Sequence, residues 1–167
     1  SHPLQADLPS VTVQDLREKV VGSYAATGAP LWWSTGDHEV YHYETQVGEI
    51  IGHEDEGPDD GTYGYRPQTS ATVKEVGRNV RALIDECGGP LTAMAGLCRD
   101  AGMEFFPRVR MNSHYETPPL HPLYGRFRRE HPELLIGRPG EELSEGGVPY
   151  GIRTGLNYAF PEVREYM

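Results

Sequence analysis

Apolar residues recur at helical spacing in three stretches of the chain and alternate with polar ones in a fourth. Val13, Leu16 and Val20 follow Thr12-x-x-Asp15, a capping-box spacing, and Gly22 is placed to stop that helix. Thr72-x-x-Glu75 opens a second helix with the stripe Val73, Val76, Val80, Leu83, Ile84 and Cys87, closed by Gly88-Gly89. Pro90 suits a first helical turn, and Leu91, Met94, Leu97 and Cys98 form a third stripe that ends at Gly102. Residues 103–112 then alternate with the two-residue period of a strand. Ala29 to Ser34 is a short apolar run and predicts a strand, as does Ile152 to Ala159. Pro122 predicts the start of a short helix through Tyr124, Phe127 and His131, and Pro161 that of a last helix. Residues 35–69 lack a helical period and are rich in Gly and Pro. They read as a long loop insertion in a single domain spanning 1–167, its acidic run His53-Glu54-Asp55-Glu56 a solvated loop.

A helix, a glycine stop and a strand over residues 91–112 make one αβ unit of a parallel sheet, so the fold class is α/β. The last residues, PEVREYM, begin another helix, and the whole reads as an α/β enzyme cut near its middle. In the strand, Met103, Phe105, Pro107, Val109 and Met111 form an apolar face. Glu104, Phe106, Arg108, Arg110 and Asn112 form a mostly polar one. Strands of a doubly wound sheet are apolar on both faces. A (β/α)8 barrel of TIM type explains the asymmetry, with helices outside and the active site at the strand's carboxyl end. A complete barrel needs about 250 residues, so this chain of 167 would hold only its N-terminal half. Arg110 and Asn112 then point into the mouth, and Arg108 lies deeper, needing a partner such as Glu104. The alternative is an exposed edge strand with a solvated polar face.

Ser113-His114-Tyr115 follows the strand into the loop at that mouth, and Trp32-Trp33-Ser34 ends the first predicted strand at the equivalent rim. Indole rings at a rim suit the apolar C–H faces of sugars, while burial is the commoner fate of one tryptophan of such a pair. His38 and His42 have an H-x-x-x-H spacing with Asp37 and Glu39 nearby. The segment DHEVYHYET alternates like a strand and lacks the Glu of a helical H-E-x-x-H site, so no metal ligands are assigned. There is no G-x-G-x-x-G, P-loop or G-x-S-x-G, and no cofactor is expected. The net charge of −10 repels nucleic acid and anionic membrane surfaces. No apolar run approaches the roughly 20 residues that span a bilayer. Cys87 and Cys98 lie on apolar helix faces and read as buried free thiols without zinc or CxxC spacing. Ser1-His2-Pro3 lacks an initiator Met and reads as a scar on a trimmed sequence, from which any signal peptide would be gone. The compartment stays open: secretion, periplasm and cytoplasm are all compatible.

Three ordered strings, GMEFFPRVRMNSHY, FRREHPELLIG and GLNYAFPEVREYM, carry a resemblance over roughly residues 70–167. They resemble the N-terminal half of bacterial family-10-like glycosyl hydrolases, which have a (β/α)8 barrel. The resemblance implies hydrolysis of a poly- or oligosaccharide. Trp33, Arg110, Asn112, His114, Asn157 and Tyr158 would then bind sugar hydroxyls or carboxylates. It also implies an Asp where Ser113 stands, and acidic residues on a strand following Met167. The catalytic residues therefore stay unassigned, because glycoside hydrolysis takes two carboxyls flanking the bond. The partners expected are a carbohydrate substrate and either the C-terminal half of the same protein or another copy. A non-catalytic carbohydrate-binding protein, a polysaccharide lyase and a metal-dependent hydrolase on the same barrel are the alternatives.

Overall fold

Leu31, Trp33 and Thr35 are buried and alternate with exposed Trp32 and half-buried Ser34, the period that makes β1 (Leu31–Asp37) a strand with two unlike faces. The computed structural model describes residues 10–37, 39–52, 67–111, 123–138 and 153–167. Within them β1 is joined by β2 (Val40–Tyr41), β3 (Glu49–Ile50) and β4 (Phe105–Arg110) in the order β3-β2-β1-β4. β1 and β4 run parallel, whereas β2 is antiparallel to β1, so the α/β sheet is mixed rather than wholly parallel. The register of β1 against β4 slips between Ser34 and Gly36, a local irregularity of the bulge kind. The predicted loop over 35–69 therefore contains the end of β1, both short strands and the start of the next helix; residues 53–66 lie outside the described residues.

Thr12 caps the first helix through a reciprocal box with Asp15, and α1 (Val13–Asp15) passes into a π-helical turn, Leu16–Val21, and then α2 (Gly22–Ala25). Gly22 is helical here, not a stop. The wider π turn places Leu16, Val20 and Val21 together in the core. The second helix, α3 (Pro67–Cys87), begins five residues before the predicted capping box, with Pro67 in its first position. Val73, Val76, Val80 and Leu83 are buried along it as their spacing predicts. α4 (Pro90–Asp100) ends at Ala101 and Gly102; Gly102 has a φ of 67° that favours glycine. Met103 donates its N–H to the Cys98 carbonyl at 2.8 Å, and the chain turns into β4. Cys98 is buried, Cys87 is half-buried, and both are free thiols.

These helices cover one face of the sheet. Leu31 and Trp33 share a core with Leu16, Val80, Leu83, Met94 and Leu97, and Met103 and Phe105 pack at its margin. A second, smaller cluster holds Tyr124, Leu134, Leu135, Leu156 and Val163. It is built by α5 (Arg126–Glu130), the 3-10 turn Pro132–Leu134 and α6 (Pro161–Tyr166). The strand predicted over 152–159 is reduced to a single bridge, Leu135 to Leu156, followed by turns into α6; residue 152 lies outside the described residues. Asn157 makes the turn with its own side chain, Oδ1 accepting the Ala159 N–H at 3.0 Å. Among the described residues no helix is long and apolar enough to cross a membrane.

Candidate functional site

In a parallel pair the strand carboxyl ends are where loops can gather functional groups. Asp37 and Arg110 are register partners at that end of β1 and β4. Phe106, Arg108 and Arg110 alternate along one face of β4, the face that Trp32 and Ser34 share on β1. On it Trp32, 64% exposed, stacks on Phe106 with ring centroids 4.8 Å apart. Arg108 is also exposed, so water solvates its charge, and among the described residues it forms no ion pair with Glu104. The helix-facing side of β4 is covered only in part. Phe105 packs on the core, but Val109 and Met111 are exposed. Among the described residues β4 pairs with β1 alone, which makes it an edge strand.

The structure separates the six residues singled out from sequence. Trp33 is in the core at 4% exposure, and its neighbour Trp32 is the tryptophan that meets solvent. Arg110 is half-buried at the strand end, while Asn112 and His114 lie outside the described residues. Tyr158 comes to the same end: its hydroxyl donates to the Met111 carbonyl at 2.6 Å across 47 positions. Asn157 turns away from the strand, its backbone N–H donating to the Leu134 carbonyl at 2.9 Å. Arg164 caps this segment, its guanidinium donating to the carbonyls of Tyr158 at 2.6 Å and Ala159 at 2.9 Å. The HPELLIG and GLNYAF strings thus pair with each other and place Tyr158 beside β4. Among the described residues no group of three or more His, Cys, Asp or Glu is placed to hold a metal ion, and His38 lies outside them.

Sequence reasoning left Glu39 as a loop carboxylate without a geometry. It is fully buried, and its Oε1 accepts from Arg128 Nε at 2.8 Å. Arg128 is buried as well, and it donates to the carbonyls of Thr154 at 3.3 Å and Leu123 at 2.5 Å. Its guanidinium carbon lies 4.3 Å from the centre of the Tyr124 ring. Glu39 Oε2 is buried without a hydrogen-bond partner. Burial pushes the Glu39 carboxyl above its ordinary value, and Arg128 beside it only partly opposes this. Gly125 permits the contact, since a Cβ there would sit 2.1 Å from Glu39 Cγ. Tyr41, pushed up to about 12, and Tyr158 titrate high chiefly through burial, and the Glu39 charge adds to both. The only sequence signal for this pair is Gly125 ahead of three arginines, Arg126, Arg128 and Arg129, which does not say what the glycine meets.

Glu39 and Arg128 join the two hydrophobic clusters, and Glu49 repeats the link by accepting the Arg126 backbone N–H at 2.6 Å. Enclosed and bound to Arg128, Glu39 is a buried contact between the clusters rather than an acid within reach of a ligand. Comparison with known protein families found no match to this chain, and a search of curated proteins found none either.

Proposed function

We propose that this chain supplies part of a (β/α)8-type glycoside hydrolase acting on a poly- or oligosaccharide. Supporting this is the two-faced sheet: helices on one side, and on the other, among the described residues, exposed Trp32, Phe106 and Arg108 with half-buried Arg110 at the strand end, where Tyr158 is tied to Met111. Further strands would enclose that face, supplied by the protein's C-terminal half or by another copy. Arg110 and Tyr158 at the strand carboxyl ends would bind sugar hydroxyls or a uronate carboxylate, the guanidinium by a two-pronged hydrogen bond. The two catalytic carboxyls, about 5–5.5 Å apart for retention or 6.5–9.5 Å for inversion, would come from those further strands. Ser113, where the resemblance implies an Asp, favours a second reading, a carbohydrate-binding protein without hydrolysis.

The test is a titration of the protein with neutral and uronate-containing oligosaccharides, scored for saturable binding and for release of reducing ends. Saturable binding that Arg110→Ala weakens by roughly tenfold is the expected result, the size of one charge-assisted contact. Binding without new reducing ends selects the second reading. Absence of saturable binding to every glycan, by folded protein, removes both.

A further inference from the structure

On the side of the molecule built by the second cluster, a cleft of about 320 Å³ opens between the segment ahead of β3 and helices α5 and α6. Its aromatic wall is Phe127 and Tyr166, stacked with ring centroids 3.9 Å apart and planes within 10°. Three carboxylates line it, Glu49, Glu130 and Glu165, against the single guanidinium of Arg126. They are not equivalent. Glu49 is engaged by the Arg126 backbone and lies 3.6 Å from Arg129. Among the described residues Glu130 has a long contact to Arg126, 3.9 Å, between side chains that are both largely exposed. Glu165 forms no ion pair among the described residues and is exposed.

Glu39 does not line the cleft but is adjacent to it, and one oxygen of its carboxylate is buried and unpartnered. Its residue touches the cleft's border twice: a Cβ on Gly48 would strike the Glu39 carbonyl at 2.3 Å, and Gly125, next to Arg126, abuts the side chain. Glu49 donates its N–H to the same Glu39 carbonyl at 2.7 Å. The negative field reaches the wall. Burial raises the Tyr166 phenol, Glu39, Tyr41 and Glu49 raise it further, and Arg126 opposes them.

We propose that this cleft binds a small organic ammonium ion, with the cation against the Phe127–Tyr166 wall and Glu130 and Glu165 as its counter-charges. The volume is at the small end of ligand pockets, which run about 300–1,000 Å³. Aromatic faces attract cations through their quadrupole, and neighbouring carboxylates add Coulomb attraction. An anion is disfavoured by the same charges. The inference does not depend on the glycan reading, since none of the residues of that reading lines the cleft.

The experiment is a calorimetric titration of the whole chain with tetramethylammonium chloride and, separately, spermidine, each compared with sodium chloride at equal ionic strength. One saturable site is expected, weakened roughly tenfold in the double variant Glu130→Gln, Glu165→Gln and also in Phe127→Leu, as loss of a cation–π contact and its counter-charges implies. Tetramethylammonium binding with that loss assigns a compact quaternary cation; spermidine binding alone with that loss assigns a primary ammonium on a chain. Binding that the exposed Glu130→Gln, Glu165→Gln variant leaves unchanged reflects diffuse attraction to an acidic protein and overturns the proposal. So does a titration indistinguishable from sodium chloride.

Discussion

Glu39 and Arg128 are the most enclosed charges among the described residues, at 0% and 1% side-chain exposure. A buried ion pair is weak evidence for stability, because desolvation offsets most of the attraction. Here desolvation of Glu39 outweighs Arg128, and its carboxyl stands above 4.5. The sign of the pH effect follows. Well below 4.5 the carboxyl is protonated in both states and adds no pH dependence. As pH rises toward the raised folded value, the unfolded chain loses its proton first, so stability falls and then levels off. Asp15 acts oppositely at lower pH, since Lys19 and Thr12 hold it well below the usual carboxylate range. Urea-unfolding free energies measured between about pH 4 and 8 for wild type and Glu39→Gln isolate the first effect. Wild type should lose stability relative to the variant as pH rises; a difference that is flat or reversed means Arg128 wins.

At the scale of elements, α3 approaches the turn that follows β3 closely at Gly77. A Cβ there would lie 2.7 Å from the Ile51 carbonyl and 2.8 Å from Gly52 Cα. Gly77→Ala gains about 1 kcal/mol of helix propensity but forces backbone apart at a cost of about 1–3 kcal/mol. The variant should be destabilised, by about 1 kcal/mol net; a higher urea midpoint than wild type contradicts the close approach. The α3 and α4 stripes and the Gly102 stop were legible in sequence because helix period and helix termination are local. The helical Gly22 was not, because the π turn is set by how Leu16, Val20 and Val21 meet the core. The reduced strand at Leu156 was missed for a similar reason: an alternating apolar segment pairs only if a partner lies alongside, and only Leu135 does among the described residues.

For the whole molecule, among the described residues the outer edge of β4 and the exposed Trp32, Phe106, Val109 and Met111 present unpaired backbone and apolar surface together. Such edges invite another strand unless charged residues blunt them. The proposed completion of the sheet by further strands leads us to expect self-association of the isolated chain with rising concentration. Val109→Lys, on the exposed edge strand, should reduce it in sedimentation velocity. A wild type that sediments as a monomer at every concentration argues against that completion and, with it, against the barrel.

What the sequence by itself determined is the α/β class, the stripes of α3 and α4, the αβ turn at Gly102 and the two unlike faces of β4. Each follows from a period of two or 3.6 residues or from a stop residue, and those act within a few positions of the chain. Only the tertiary structure decided that Trp33 faces the core and Trp32 the solvent, since alternation separates the two but does not say which side carries the helices. It alone brought Tyr158 to Met111, and Arg128 to a carboxylate 89 positions away. Contacts at such separation leave no period in the sequence, because their energy depends on burial and on the partner met, and both exist only once the chain is folded.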